Sequence, residues 1–182
     1  MIGVVPRVES TVEIALPADT AFRLSQTYGE LRYRWDPFVH EQHLLDGATT
    51  AARGVRTSTT SRHRLTMVSE YVSFKPPHQV GMKMVEGPWF FEQFSGGWSF
   101  RALGTDRTLA TWRYTFRCRP ALLRSIAERI GTWLLGRDID RRLAAFAAAC
   151  ADPAILAALD APHGPDDPPD GPDGGPAAAA NP

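Results

Sequence analysis

Lysine, cysteine and long apolar runs are all scarce in this chain of 182 residues. Lys75 and Lys83 are its only lysines, and the other 18 of its 20 basic residues are arginine. We read that skew as the codon usage of a GC-rich genome, so arginine abundance alone does not point to anion binding. Two cysteines, Cys118 and Cys150, are too few for a disulfide framework and are expected to be reduced in a cytosolic chain. The longest apolar run, Leu143 to Ala151, is nine residues of mostly alanine, against the ~20 needed to cross a bilayer. The opening MIGVVPRVESTVEI has neither the charged region nor the long apolar stretch of a signal peptide. A soluble cytoplasmic protein is the expectation.

Net charge is also lacking. Twenty basic residues meet twenty acidic ones, which argues against a strongly basic nucleic-acid binder. The zero conceals two unlike parts. Residues 160–182 hold five aspartates and no lysine or arginine, which leaves 20 basic against 15 acidic residues, +5, in 1–159. The acidic, Pro/Gly-rich segment cannot bury enough apolar area to offset its chain entropy. The expected organisation is one domain over 1–159 and a disordered tail over 160–182.

Catalytic signatures are missing too. The chain has no HExxH or CxxC spacing, no Walker or dinucleotide glycine loop, and Ser95-Gly96-Gly97 is not a GxSxG elbow. His40 and His43, three apart on a strand, should point to opposite faces, and His63 sits between Arg62 and Arg64 at a turn. No metal and no cofactor are expected, and a hydrolase or nucleotide enzyme is disfavoured.

What the chain does have is 43% hydrophobic and 10% aromatic residues, enough for a sizeable core. Val8, Ser10, Val12, Ile14 and Leu16 alternate with polar residues, predicting a half-buried strand. Pro17-Ala-Asp-Thr opens a short helix with Phe22 inward, and a second over about 30–35 stops before Asp36-Pro37. Strands are expected near 39–46, 53–62, 64–74, 78–86, 89–102 and 107–118, with Gly96-Gly97 marking a bulge or bend. Leu123, Ile126, Ile130, Trp133 and Leu134, continued by Ile139, Leu143, Phe146 and Cys150, predict one amphipathic helix over 120–150 with an extension to Leu159. The fold class is α+β: a curved antiparallel sheet of about seven strands around a long C-terminal helix, with two short helices after strand one. The space between sheet and helix is where a ligand would sit.

This pattern resembles the START-like, helix-grip superfamily, also called SRPBCC, and within it the polyketide cyclase/dehydrase and lipid-transport group. Four stretches carry the likeness, which covers about residues 6–150. They are the first strand running into Pro17-Ala-Asp-Thr-Ala-Phe22, Tyr33-Arg34-Trp35-Asp36-Pro37, Glu86-Gly87-Pro88 through Phe94 to Trp98-Ser-Phe100, and Arg119-Pro120-Ala-Leu-Leu. The resemblance implies the helix-grip fold. It leaves activity open, since members include lipid and pigment carriers, aromatase/cyclases, coenzyme Q-binding proteins and chaperone cofactors.

Rings and flexible thioethers suit a flat apolar ligand. Trp35, Tyr71, Met82, Met84, Phe91, Trp98, Trp112, Tyr114 and Trp133 are the candidate lining, with ordinary core packing as the plainer reading of each. Arg56, Tyr71, Glu92 and Gln93 are the candidates for polarising a carbonyl or moving a proton; one of Glu92 and Gln93 should face the cavity. The plainer reading is a solvent-facing carboxylate paired with arginine. The Arg32-Tyr33-Arg34-Trp35 stretch and the group Arg137, Arg141 and Arg142 read as solvated basic faces, with no nucleic-acid site and at most transient membrane contact. The leading expectation is a carrier of a small hydrophobic ligand such as a lipid, quinone or polyketide. The alternatives are an aromatase/cyclase or dehydratase acting on a poly-β-ketone, and a ribosome- or chaperone-associated interaction module.

Overall fold

Alternation dictates how the first and last strands meet. The computed structural model describes residues 5–119 and 121–161, so the expected tail beyond 161 lies outside the described residues. In β1 (Arg7–Ile14) Val8 and Ile14 are buried, and in β7 (Thr108–Cys118) every second residue from Thr108 is buried. The two strands pair antiparallel with Val8 opposite Tyr114 and Ser10 opposite Trp112, so their apolar faces coincide.

Between them come α1 (Ala18–Ser25), α2 (Gly29–Trp35), β2 (Val39–Leu44), β3 (Arg56–Ser61), β4 (Thr66–Lys75), β5 (Gln79–Glu86) and β6 (Phe91–Ala102). A single 3₁₀ turn, Ala121–Leu123, then leads into α3 (Arg124–Cys150), followed by α4 (Pro153–Asp160). The antiparallel sheet runs β1-β7-β6-β5-β4-β3-β2. The pair α1 and α2 therefore carries the chain from one sheet edge to the other, while α3 packs on β1 and β7. The core centres on Phe146 of α3, whose ring lies 4.8 Å from Trp98 and 5.3 Å from Trp35. This is the expected helix-grip arrangement.

Two expectations need correcting. Gly96 and Gly97 are not a bulge: they stay in register with Met82 and Gly81 on one side and with Tyr114 and Arg113 on the other. Backbone proximity requires them instead. A Cβ on Gly97 would lie 2.2 Å from the Val80 carbonyl oxygen, and one on Gly96 2.6 Å from the Tyr114 ring. The register shift in β6 falls between Phe91 and Gln93.

The second correction concerns which face of α3 is buried. Ile126, Ile130, Trp133 and Leu134, expected to point into the core, are all more than half exposed, as is Leu123 in the turn before the helix. Ala127, Leu135, Ile139, Leu143 and Phe146 take the inward positions. Gly131 lets this half of the helix rest on Phe116, whose ring would lie 2.8 Å from an added Cβ. The helix carries two apolar arcs, and the sheet covers only one of them.

Candidate functional site

The uncovered arc borders a cavity of about 820 Å³ between α3, the α1–α2 segment and the inner face of the sheet, within the ~300–1,000 Å³ of small-molecule sites. Exposed lining residues, apolar Leu65, Ile130, Trp133 and Leu134 together with His63, Arg119, Arg137 and Arg141, mark its mouth. Buried lining residues, among them Arg32, Tyr71, Trp98, Trp112, Tyr114 and Arg142, mark its closed end.

Register parity decides which strand residues reach the cavity. Ser69 faces the same way as its partner Met84, and Tyr71 the same way as Met82; Met82 in turn pairs with Gly96, and Gly96 with Tyr114. This row is the inner face. Arg56 pairs with Glu70 and so points outward, where it makes a two-point contact with Asp46 at 2.9 Å for each hydrogen bond.

Of the nine lining candidates, Tyr71, Met82, Met84, Phe91, Trp98, Trp112, Tyr114 and Trp133 are brought together around the cavity. Trp35 is not among its walls. It is buried against Phe146, with Nε1 donating to Thr27 Oγ1 at 3.1 Å. Of the four polar candidates only Tyr71 lines the cavity. Glu92 sits at the irregularity of β6 and pairs with Arg124 of α3, while Gln93 is exposed; neither faces inward. The plainer reading of Glu92 as arginine-paired is the arrangement present, though its partner is on the helix.

Sequence reasoning missed the polar closed end. The residue before a proline avoids the helical region, so α2 ends at Trp35 and Asp36 turns extended and inward. Its carboxylate is fully buried. Arg142 donates to it twice, Nε to Oδ1 at 3.1 Å and Nη2 to Oδ2 at 2.8 Å, and Arg32 Nη2 stands 2.7 Å from the same Oδ2. Those two guanidinium groups and the Phe38 amide hold the Asp36 carboxyl down at about 2 against the cost of burial.

Arg142 also donates from Nη1 to the Tyr114 hydroxyl at 2.6 Å, and its guanidinium lies 4.0 Å from the Trp112 ring centre. Burial raises the Tyr114 phenol, which stays protonated. Tyr28 and Tyr71 hydrogen-bond hydroxyl to hydroxyl, and burial raises both. Asp138, one turn before Arg142 on α3 and 3.9 Å from it, lines the cavity, and burial raises its carboxyl.

A signal for Arg142 existed. It lies three residues after Ile139 and four before Phe146, on the buried stripe itself, so its assignment to a solvated face was wrong. Arg32 likewise lies three before buried Trp35. Among the described residues no three histidine, cysteine or acidic side chains cluster as a metal site would require, and no single helix is long and apolar enough to cross a membrane.

A family model described as polyketide cyclase/dehydrase and lipid transport matches residues 5–151. The chain belongs to that family. The domain is 31% identical over 154 residues to the granaticin polyketide synthase bifunctional cyclase/dehydratase of Streptomyces violaceoruber, a match covering 79% of this chain and 44% of the relative. The chain thus matches less than half the length of that protein. Among solved structures, the Zhui aromatase/cyclase from Streptomyces sp. R1128 superposes with a TM-score of 0.69 at 19% identity, covering 81% of this chain and 94% of the other. A START superfamily protein from Mycobacterium smegmatis gives 0.64 at 16% identity over 80% and 97%. These likenesses place the START-like fold. The family supports a hydrophobic-ligand-binding or polyketide-cyclase type of role.

Proposed function

We propose that this domain binds a poly-β-ketone chain and directs its cyclisation and dehydration to an aromatic product. One observation carries the reading: a large apolar cavity ends in hydrogen-bond donors and is lined by one carboxylate, Asp138, whose carboxyl burial raises, while Asp36 behind the wall is held down by two arginines. Apolar walls with a few convergent polar groups suit a flat, carbonyl-rich ligand. The Streptomyces cyclase/dehydratase relative supports the same substrate class.

An aldol cyclisation removes a proton from a methylene between two carbonyls. The resulting enolate carbon attacks a third carbonyl, one C–C bond forms, and the new alkoxide takes up a proton; loss of water then leads toward the aromatic ring. Tyr114, held by Arg142, and the Tyr28–Tyr71 pair supply O–H groups that polarise carbonyl oxygens and stabilise the enolate. Asp36, locked between two arginines at about 2, is not available as a base. Asp138, whose carboxyl burial pushes up, suits the proton transfer.

Mixing the protein with a linear poly-β-ketone thioester generated in situ tests this. Product analysis should show one cyclised aromatic product dominating over the mixture formed without protein, and Asp138→Asn should restore the mixture. A carrier role, favoured by the flexible Met82 and Met84 in the walls, instead predicts one-to-one binding of the aromatic product with an unchanged product mixture.

A further inference from the structure

At the closed end of the cavity hydrogen-bond donors outnumber acceptors. Among the described residues Asp36 is the one carboxylate fully buried there, and it serves two buried guanidinium groups. Arg142 takes both of its oxygens and has Asp138 at 3.9 Å as well. Arg32 is the guanidinium left under-compensated. Its Nη2 shares Oδ2 with Arg142, its Nη1 donates to the neutral Ser25 carbonyl at 2.7 Å, and its buried Nε has no acceptor among the described residues. A buried donor without a partner is destabilising, more so on a charged group. Burial and the nearby Arg142 both disfavour the charge on Arg32.

The tyrosine pair adds to the surplus. Burial keeps Tyr28 and Tyr71 protonated, so two hydroxyl protons share one mutual hydrogen bond. The second proton has no acceptor among the described residues. Arg32, Tyr28 and Tyr71 all line the cavity, so an acceptor can come from its contents.

We infer that Arg32, Tyr28 and Tyr71 form a subsite for an acidic oxygen group, a carboxylate or an enolate or phenolate, at one end of the hydrophobic ligand. The inference rests on the cavity being the ligand site proposed above and adds that the ligand is anionic and enters acidic end first. The oxyanion accepts from the free tyrosine hydroxyl, and its charge balances the second guanidinium beside it.

The matched probes 2-naphthoate and 2-naphthamide share ring and shape and differ in charge. Titrated at neutral pH against the wild-type protein, with the fluorescence of buried Trp98 and Trp112 and calorimetry as readouts, the carboxylate should bind about 10- to 100-fold tighter. Arg32→Gln, in which Asp36 keeps both bonds from Arg142, should bring the two affinities within about threefold. The double variant Tyr28→Phe/Tyr71→Phe changes no charge and guards against a folding failure of the first; it should lower the preference several-fold. Equal binding of both probes by the wild type overturns the subsite and leaves the apolar cavity standing. A preference that survives in both variants also overturns it, by assigning the effect to the domain's overall positive charge. Binding of neither probe overturns the subsite together with the ligand-site reading.

Discussion

Arg142 on α3 grips Asp36 at the end of α2 across 106 positions of sequence, through two side-by-side hydrogen bonds of 3.1 and 2.8 Å. That pair ties the long helix to the α1–α2 segment over the closed end of the cavity. Taking one partner away leaves uncompensated buried charge, which costs about 3–5 kcal/mol. Asp36→Asn should therefore lower the thermal midpoint by many degrees, whereas Arg56→Ala, which removes an exposed pair with Asp46, should leave it nearly unchanged. Similar midpoints for the two variants would contradict the buried network.

The same carboxylate sets an acid limit. In the folded protein the Asp36 carboxyl sits at about 2, below the 3.8 it has when free. The unfolded chain thus binds its proton first. The pair contributes stability above about pH 4, and that contribution, on the order of 2 kcal/mol, is lost as pH falls from about 4 toward 2. Denaturant titrations at pH 5, 4 and 3 should show the wild type losing more stability than Asp36→Asn over this range. A parallel loss in the two proteins would assign the acid sensitivity elsewhere.

Glycines in the helix and the sheet should respond in opposite ways. Gly136→Ala meets nothing closer than Val8 at 3.9 Å and gains helix propensity, so it should stabilise by about 0.5–1 kcal/mol. Gly97→Ala sets a methyl 2.2 Å from the Val80 carbonyl oxygen and should destabilise by several kcal/mol or prevent folding. Equilibrium unfolding of both variants measures the contrast, and equal effects would mean the strands are not packed this closely.

Patterns that depend on one residue type in one period were legible from sequence. The alternation of β1 and β7 placed Val8, Trp112, Tyr114 and Phe116 correctly, and the aromatic and methionine inventory named most of the cavity wall. Two kinds of information were not legible. Periodicity shows that α3 has apolar arcs but not which arc packs on the sheet and which is left at the cavity mouth, where Ile130, Trp133 and Leu134 lie more than half exposed. Charge was read as exposure. Arg142 lies inside because Asp36, Trp112 and Tyr114, all distant in the chain, meet it there, while Arg32 is drawn in by Asp36 and Trp35 within one turn of its own helix. The polar candidates failed for a related reason. Strand parity around an irregularity cannot be counted from composition, and the one at Phe91–Gln93 left Glu92 to Arg124 and Gln93 to solvent.

The proposed chemistry turns on Asp138 acting as a base inside the cavity. The most direct measurement is the rate of poly-β-ketone cyclisation against pH for the wild type and Asp138→Asn. A base must be ionised, so the wild-type rate should rise with pH through a midpoint above the ordinary aspartate value of 3.8, as burial of Asp138 dictates. Asp138→Asn should lose that rise and run at least about 100-fold slower at neutral pH, given the 10²–10⁴-fold typical of general-base catalysis. A variant that keeps the wild-type rate and profile would contradict the account.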